Sequence, residues 1–357
     1  MNIAESTARY EAWLGRRLRL IAPDLALKHT RMRAEPFPFF RATYYRWAQV
    51  WRENCPEHAK APRVLAVGDL HVENFGTWRD IEGRLIWGIN DFDEVWRLPY
   101  TNDLIRLASS ALLAAMNCDP KDGIGAILKG YLACLEEGGC PFTLAERHPA
   151  LRQMATARLH DAEKYWEKLH ALPDAEADPP AGARAAIERM MPERGLKWRI
   201  VHRVAGLGSL GRERYAALAD WRGGSIAREA KALAASACVW AENVSAPGSA
   251  PILYQKVLDT AVRCRDPFVR LRQRWIVRRL APDCSRIELS ALPAERDELR
   301  LLYAMGWETA NVHLGSAKPG ILLADLKKRP PGWLYRAASA MEKAILADFE
   351  EYRKEPE

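Results

Sequence analysis

Two short apolar runs, each followed by acidic and amide side chains, restrict the fold of this chain more than any other sequence feature. Residues 64–67 (VLAV) lead through a glycine into residues 69–74 (DLHVEN), and residues 85–89 (LIWGI) lead into residues 90–94 (NDFDE). Short apolar runs that end at turn residues are typical of buried strands. We therefore expect two strands whose ends bring oxygen-bearing side chains together. Such side chains can hold a divalent cation against a phosphate group.

The spacing within these two clusters matches that of a catalytic site. Asp69 and Asn74 have the D-x-x-x-x-N spacing in which protein kinases place a proton-accepting carboxylate and a metal-binding amide. Asp91 then stands where kinases have the metal-binding Asp of Asp-Phe-Gly, although Asp93 replaces the glycine. A strand-to-turn junction and a solvated acidic turn are the plainer explanation of either cluster alone. Their order and separation together favour the catalytic interpretation.

These clusters supply the candidate catalytic and metal-binding residues. The form Gly-Asp-Leu-His-x-x-Asn resembles aminoglycoside phosphotransferases and related small-molecule kinases. We expect Asp69 to be the general base, and His71 to hold its loop through the ring nitrogens, as the resemblance implies. We expect Asn74, Asp91 and Asp93 to bind Mg²⁺.

A further acidic residue, Asp103, follows the metal motif and precedes an apolar-periodic run. This position makes Asn102 or Asp103 a suitable N-cap for a helix. In the phosphotransferases that the stretch resembles, an Asp after the metal site also braces the backbone of the catalytic loop. The resemblance implies the same contact here, and one residue can fill both roles.

A glycine-rich segment appears much later in the chain, at residues 206–211. Gly206, Gly208 and Gly211 form G-x-G-x-x-G, with Ser209 between them. This pattern opens a helix in dinucleotide-binding folds and joins two antiparallel strands in kinases. Residues 214–219 (RYAALA) are compatible with either arrangement. We expect the strand hairpin, with Gly206, Gly208, Ser209 and Gly211 covering the phosphates of ATP.

Lys231 follows this segment, where a kinase has the lysine of its third strand. We expect Lys231 to contact the α- and β-phosphates of ATP. In kinases a glutamate orients this lysine through an ion pair. We assign that role to Glu242, with Glu229 as the rival. The plainer alternative is that Lys231 is an exposed lysine in an alanine-rich helix.

The order of these parts is unusual, because the glycine-rich segment follows the metal site. The sequence therefore predicts an α+β, protein-kinase-like two-lobe fold in circularly permuted order, with a small antiparallel β-rich lobe and a larger helical lobe. We place the catalytic helical lobe at residues 1–190 and the nucleotide-covering β-rich lobe at 191–290. Residues 291–357 are expected to return to the catalytic lobe as helices. The Pro/Ala/Asp-rich stretch 173–184 is expected to be a loop.

With its motifs in this permuted order, the chain resembles a bacterial family known as domain of unknown function 2252, which is assigned to the protein-kinase-like superfamily. The resembling stretches are residues 31–41, 68–76, 90–94, 103–108, 204–211, 229–231 and 306–313. One departure concerns the lysine, because the family's Val-Lys-Glu-Ala is Glu-Ala-Lys-Ala in this chain. The resemblance implies a kinase-like fold and ATP-dependent chemistry, and it supplies no acceptor substrate.

Composition excludes several other classes of protein. The formal net charge of +7 is modest for 357 residues, and Lys and Arg are dispersed, so no nucleic-acid partner is expected. The seven cysteines form no C-x-x-C pair, which predicts neither a zinc site nor a disulfide framework. No apolar run approaches eighteen residues and no secretory signal is recognisable, so we expect no membrane partner and a cytoplasmic setting.

The sequence thus predicts an ATP- and Mg²⁺-dependent phosphotransferase that acts on a small hydroxylated or anionic acceptor. Lys28, Arg31 and Arg41 lie near a proline turn and are candidates for lining the acceptor pocket, although solvated surface is the plainer role. A metallophosphoesterase is disfavoured, because the chain has neither Gly-Asn-His nor Gly-His-x-His. Two alternatives stay open. A kinase-like fold can transfer an adenylyl group, and it can bind a nucleotide without catalysis, although the intact acidic set argues against the latter.

Overall fold

The computed structural model describes residues 1–114, 116–144, 147–157, 159–243, 250–284 and 295–355. Within these ranges the chain forms a mixed α/β fold, in which helices predominate and the strands form three small antiparallel sheets. No described helix is both long enough and apolar enough to cross a lipid bilayer. Residues 285–294, which include the predicted boundary at residue 290, lie outside the described ranges, and the division into lobes stays a prediction.

The helices and strands alternate irregularly along the chain. The helices are Ile3–Gly15 (α1), Ala22–Ala34 (α2), Pro36–Ala42 (α3), Tyr44–Asn54 (α4), Tyr100–Leu113 (α5), Pro120–Glu137 (α6), Pro149–Thr156 (α7), Ala162–His170 (α8), Ala181–Glu188 (α9), Ala237–Ala241 (α10), Tyr254–Thr260 (α11), Glu295–Leu314 (α12), Pro319–Leu326 (α13) and Trp333–Lys354 (α14). The strands are Arg63–Ala66 (β1), Phe75–Arg79 (β2), Leu85–Ile89 (β3), Trp96–Pro99 (β4), Phe142–Thr143 (β5), Arg199–Val201 (β6), Arg214–Trp221 (β7), Gly224–Ala232 (β8), Arg270–Arg272 (β9) and Trp275–Leu280 (β10). Short 3-10 helices lie at His58–Lys60 and Leu207–Ser209.

Both strands that the apolar runs predict are present, as β1 and β3. They lie in different sheets, because β1 pairs with β4 while β3 pairs with β2 and β5. Every residue of β3 is buried, which explains why its sequence is a continuous apolar run rather than an alternating one. The two acidic clusters therefore begin where buried strands end.

The glycine-rich segment connects two antiparallel neighbours in a five-stranded sheet of order β6-β7-β8-β10-β9. Strands β7 and β8 are joined by a tight turn at Arg222 and Gly223, which both have positive φ, as two-residue hairpins require. Because residues 206–211 lie between the antiparallel strands β6 and β7, the predicted strand hairpin is confirmed. These residues do not open a helix on a parallel sheet. Lys231 lies on β8, so the helical alternative for this residue is wrong.

The helical core depends on a close approach between α6 and α12. A Cβ atom on Gly130 would lie 1.9 Å from the backbone oxygen of Tyr303, and one on Gly306 would lie 1.9 Å from that of Ile127. The two backbones are therefore in direct contact through glycines that face each other. This contact positions the rest of α12, so that Glu308 lies beside β3 and His313 lies beside Asp103 of α5.

Two local predictions are wrong. Helix α5 begins at Tyr100 with Pro99 as its N-cap residue, so Asp103 lies in the first turn and neither Asn102 nor Asp103 is the cap. Pro99 has a fixed φ that is compatible with the start of a helix. It comes four residues before Asp103, so the helix begins before the acidic residue is reached. The predicted loop at 173–184 is also too long, because α9 already begins at Ala181.

Candidate functional site

A small cavity lies where the loop after β1, the turn after β3 and the glycine-rich segment before β7 meet. Most of the sequence-predicted site residues line this cavity: Asp69, His71, Asn74, Asp91, Asp93, Gly206, Gly208 and Ser209. Three others, Gly211, Lys231 and Glu242, are not part of the lining. The space that water-sized molecules can occupy is only about 60 Å³. The structure thus brings together segments that are more than a hundred residues apart in the chain, and it leaves little space between them.

Asp103 fixes the backbone that leads to Asp69. Its Oδ2 accepts a hydrogen bond from the N–H of Val67 (2.6 Å), and its Oδ1 accepts one from the N–H of Gly68 (3.0 Å). Its Oδ2 also lies 3.0 Å from Nε2 of His313, which is completely buried in α12. The backbone bracing that the sequence resemblance implied is present, and His313 is a buried structural histidine.

Asp69 is held by a buried arginine. Its Oδ1 lies 3.1 Å from Nε and 2.5 Å from Nη2 of Arg106, a side chain with no solvent exposure that stacks on the ring of Phe40. The other oxygen, Oδ2, faces the glycine-rich segment, where a Cβ atom on Gly208 would lie 3.4 Å away. Burial raises the pKa of the Asp69 carboxyl, and Arg106 opposes this effect. One oxygen is therefore positioned and the other is directed into the cavity.

Asn74 presents a buried oxygen that has no hydrogen-bond donor. Its Nδ2 donates to the backbone oxygens of Asp69 (3.1 Å) and Asp91 (3.2 Å), which fixes the orientation of the amide. Its Oδ1 has no hydrogen-bond partner, and neither has Oδ1 of Asp93. Buried acceptors are nearly always satisfied in native proteins. Two unsatisfied oxygens beside one cavity indicate that a cation or another donor belongs there.

Lys231 lies between the two carboxylates of the second cluster. Its Nζ is 2.5 Å from Oδ2 of Asp93 and 3.4 Å from Oδ2 of Asp91. Burial and the negative charge of Asp91 raise the pKa of Asp93. Burial is the largest single influence on Asp91 and opposes its ionisation, but Lys231, Arg278 and the hydrogen bonds with Asp93 together outweigh it and lower the pKa of Asp91. The lysine thus supplies positive charge that compensates the carboxylates.

The predicted ion pair between Lys231 and a glutamate is wrong. Glu242 forms its ion pair with Arg52 of α4, because the short helix α10 packs on α4 rather than on the sheet. Glu229 is completely buried, and three guanidinium groups surround it: those of Arg203, Arg214 and Arg278. Both candidate glutamates are therefore engaged elsewhere, and the partners of Lys231 are the acidic residues of the cavity.

The glycine-rich segment adopts a shape that side chains would hinder. Gly206 and Gly211 have φ of 72° and 87°, a region that favours glycine. Oγ of Ser209 accepts a hydrogen bond from Nη2 of Arg214 (2.9 Å), and the backbone oxygen of Gly211 accepts one from the N–H of Ile21 (2.8 Å). The start of α2 thus anchors the end of the segment.

Other residues of the cavity wall were predicted only in part. Lys28 and Arg41 line the cavity, whereas Arg31 is exposed at the surface. His71 is buried, and its Nδ1 accepts a hydrogen bond from the N–H of Glu73 (3.2 Å), which agrees with its predicted role in the loop.

Sequence reasoning missed two buried arginines, and only one of them left a signal. Arg106 lies one helical turn after Asp103, so the Asp-Leu-Ile-Arg spacing places both on one face of α5. Arg212 pairs with Glu94 (2.9 Å), and nothing in its sequence context indicates this contact.

The donor set fits a hard divalent cation that shares its coordination with a ligand. Among the described residues, no three His, Cys, Asp or Glu side chains converge as a metal cluster. Mg²⁺ is ordinarily held by one or two carboxylates together with waters and substrate phosphates, and it does not need such a cluster. Asn74, Asp91 and Asp93 provide an amide oxygen and two carboxylates at one cavity.

Fold and site together define a mixed α/β protein with an acidic cavity under a glycine-rich hairpin. Residues 19–128 match the model of a family described as an uncharacterized protein conserved in bacteria, domain of unknown function 2252. The matched part contains both acidic clusters and ends before the glycine-rich segment and Lys231, so it supports the predicted family in that part of the chain. No curated protein and no solved structure matches the chain significantly.

Proposed function

We propose that this protein is an ATP- and Mg²⁺-dependent phosphotransferase with a kinase-like fold in circularly permuted order, acting on a small hydroxylated or anionic acceptor. One observation carries the proposal. The Asp69–Asn74 loop, the Asp91–Asp93 turn and the glycine-rich hairpin enclose one cavity, although the hairpin lies far downstream. Phosphoryl transfer needs a base, metal ligands and a phosphate cover at one place, and little covalent chemistry from the protein.

The metal site in this proposal consists of Asn74, Asp91 and Asp93. The unsatisfied Oδ1 atoms of Asn74 and Asp93 support this assignment, since both lack a donor in the described structure. When bound, Mg²⁺ would neutralise negative charge on the phosphate oxygens. The two hydrogen bonds of the Asn74 Nδ2 keep its oxygen pointing away from the backbone that it braces.

The phosphate cover in this proposal is the glycine-rich segment together with Lys231. The ammonium of Lys231 neutralises the carboxylates of Asp91 and Asp93. We infer that Lys231 turns to the phosphates when a metal ion neutralises these carboxylates in its place. Pockets for ligands usually measure roughly 300–1,000 Å³. The cavity of about 60 Å³ is far smaller. Nucleotide binding therefore requires the glycine-rich segment to move away from Asp69.

The base in this proposal is Asp69. Its Oδ2 faces the cavity, while Arg106 fixes the other oxygen and thereby the plane of the carboxylate. Burial raises its pKa, which makes the carboxylate a better proton acceptor than an exposed one. Its task is to orient the acceptor hydroxyl group and to take its proton as the bond to phosphorus forms.

The products formed from ATP test the proposal. We would incubate the protein with Mg²⁺, a mixture of small hydroxylated metabolites, and ATP labelled on either the α- or the γ-phosphate. The proposal predicts ADP and a γ-labelled product, and both should disappear in Asp91→Asn. Pyrophosphate together with an α-labelled acceptor would show adenylyl transfer instead. Binding of Mg²⁺ and ATP without turnover of any acceptor would show an inactive nucleotide-binding protein.

A further inference from the structure

Lys28 is a buried cation in the wall of the cavity. Its side chain, on α2, is only 4% exposed, and its ammonium lies 5.8 Å from the centre of the Tyr45 ring. In the part of the chain that the structure describes, no carboxylate oxygen lies within 4.0 Å of the Lys28 ammonium, so Lys28 forms no ion pair there. A buried charge that forms no ion pair is energetically unfavourable. Its presence here needs an explanation.

The other cations of the cavity wall are already compensated. Arg41 forms an ion pair with Glu73, and Arg212 lies 2.9 Å from Glu94. Lys231, just behind the lining, is paired with the metal-site carboxylates. Lys28 thus differs from the other described cations at this cavity, because no carboxylate is paired with its ammonium. An anion supplied from outside the protein would provide the missing charge.

We propose that Lys28 binds an anionic group, a carboxylate or a phosphate, on the acceptor whose hydroxyl group meets Asp69. This inference rests on the proposed function, and it narrows the acceptor to hydroxylated anions. Lys28 and Asp69 line the same small cavity, so one small molecule can contact both once the glycine-rich segment has moved away.

The charge state of Lys28 is compatible with this role. Burial lowers the pKa of Lys28 to about 8, and Arg212 acts in the same direction, while Glu11, Glu94 and Asp69 oppose it. The ammonium is therefore charged at pH 7. Binding of an anion of constant charge should weaken as the pH rises through 8, because the cation that holds it disappears.

Three probes that share a hydroxylated three-carbon skeleton test the proposal. Glycerol is neutral, glycerate carries a carboxylate and glycerol 3-phosphate carries a phosphate. Each would be titrated calorimetrically at pH 7 into wild-type protein saturated with Mg²⁺ and a non-hydrolysable ATP analogue, which keeps the probes out of the nucleotide site. We expect at least one anionic probe to bind about tenfold or more tightly than glycerol. Which anion binds more tightly distinguishes a carboxylate from a phosphate acceptor.

Variants of Lys28 identify the residue responsible. Lys28→Met should remove the preference for anions and leave the affinity for the nucleotide analogue unchanged, whereas Lys28→Arg should retain part of the preference. The melting temperature of Lys28→Met should not fall, because the variant removes a buried charge that has no ion-pair partner in the described structure. Lys343→Met, at an exposed lysine of α14, should behave like wild type in every titration.

Two results would overturn the proposal. One is a wild-type protein that binds no anionic probe more tightly than glycerol, and the other is an anion preference that persists in Lys28→Met. The nucleotide titration precedes the probes, so absence of nucleotide binding in wild type would contradict the proposed function separately. In that case the probes would be titrated alone, and anion binding that depends on Lys28 would still support a site at this residue.

Discussion

Gly208 and Asp69 face each other across the cavity, although they come from opposite halves of the chain. A Cβ atom on Gly208 would lie 3.4 Å from Oδ2 of Asp69 and 3.0 Å from the backbone oxygen of Arg41. The glycine-rich segment therefore lies directly on the carboxylate that we propose as the base. This closed arrangement explains the small volume of the cavity, and it makes opening of the segment part of the proposed reaction cycle.

Asp69→Asn should separate catalysis from binding. The variant keeps the shape of the side chain and removes the proposed base, so turnover should fall by roughly 10²–10⁴-fold, as is typical of general-base loss. Binding of ATP with Mg²⁺ should be nearly unchanged in calorimetry. Turnover at the wild-type rate on the true acceptor would remove Asp69 from the base role.

The same variant needs a stability control, because Arg106 would lose its carboxylate partner. Breaking a buried ion pair from one side costs on the order of 3 kcal/mol. We therefore expect a lower melting temperature for Asp69→Asn, and activity must be measured well below it. Retained nucleotide binding at that temperature shows that the loss of turnover is not a loss of folding.

Asp103→Ala should destabilise the loop that carries Asp69, the proposed base. The substitution leaves the N–H groups of Val67 and Gly68 without an acceptor, and it removes the partner of His313. The free energy of unfolding in urea should fall by about 3 kcal/mol or more. Asp259→Ala, at a surface ion pair with Arg265, is the control and should cost less than about 1 kcal/mol. Equal effects in the two variants would argue against the bracing role.

Two glycines of α6 should respond to alanine in opposite directions. Gly130→Ala places a Cβ atom in the backbone of Tyr303, so the variant should lose at least about 3 kcal/mol or fail to fold. Gly125 lies in the same helix with open space around it. Gly125→Ala should therefore raise stability by up to about 1 kcal/mol through helix propensity. Stability measurements that rank the two variants in the other order would contradict the contact between α6 and α12.

Glu308 should give the protein a measurable dependence of stability on pH. It is buried in α12, where Oε1 accepts a hydrogen bond from the N–H of Ile89, and burial raises the pKa of Glu308 to about 7. A carboxyl group whose pKa is higher in the folded chain stabilises the fold fully below its unfolded pKa, and this contribution is lost as the pH rises through 7. Glu308→Gln removes the titration. Between pH 5 and pH 8, its stability should therefore improve by about 2–3 kcal/mol relative to wild type.

Denaturation in urea at the two pH values measures this difference directly. A gap between Glu308→Gln and wild type that stays constant from pH 5 to pH 8 would show that Glu308 does not titrate in this range in the folded protein.

The sequence predicts which residues and strands form this site better than it predicts the ion pairs between them. Apolar runs that end in polar clusters locate β1, β3 and the acidic residues, because strand burial and turn chemistry are local properties. The hairpin around the glycine-rich segment and the strand position of Lys231 follow from the order of glycines, strands and lysine. These predictions depend on short stretches of chain, and the structure agrees with them.

The ion pairs could not be predicted, because they depend on which elements meet in three dimensions. Glu242 and Glu229 are both near Lys231 in sequence, but α4 and the surrounding arginines engage them. Arg106 reaches Asp69 only because α5 packs against the loop after β1. The start of α5 differs from the prediction for a local reason, since Pro99, and not Asp103, is the residue that precedes the helix.

We propose that Asp91, Asn74 and the glycine-rich segment form one site for ATP with Mg²⁺. Calorimetric titration of ATP into wild type and Asp91→Asn, each with Mg²⁺ and with EDTA, tests it most directly, with the exposed Asp178→Asn as the control. We predict binding to wild type and Asp178→Asn that requires Mg²⁺ and is abolished in Asp91→Asn. Absence of binding to wild type, or equal affinity in Asp91→Asn, would show that Asp91 and the glycine-rich segment do not form a site for ATP with Mg²⁺.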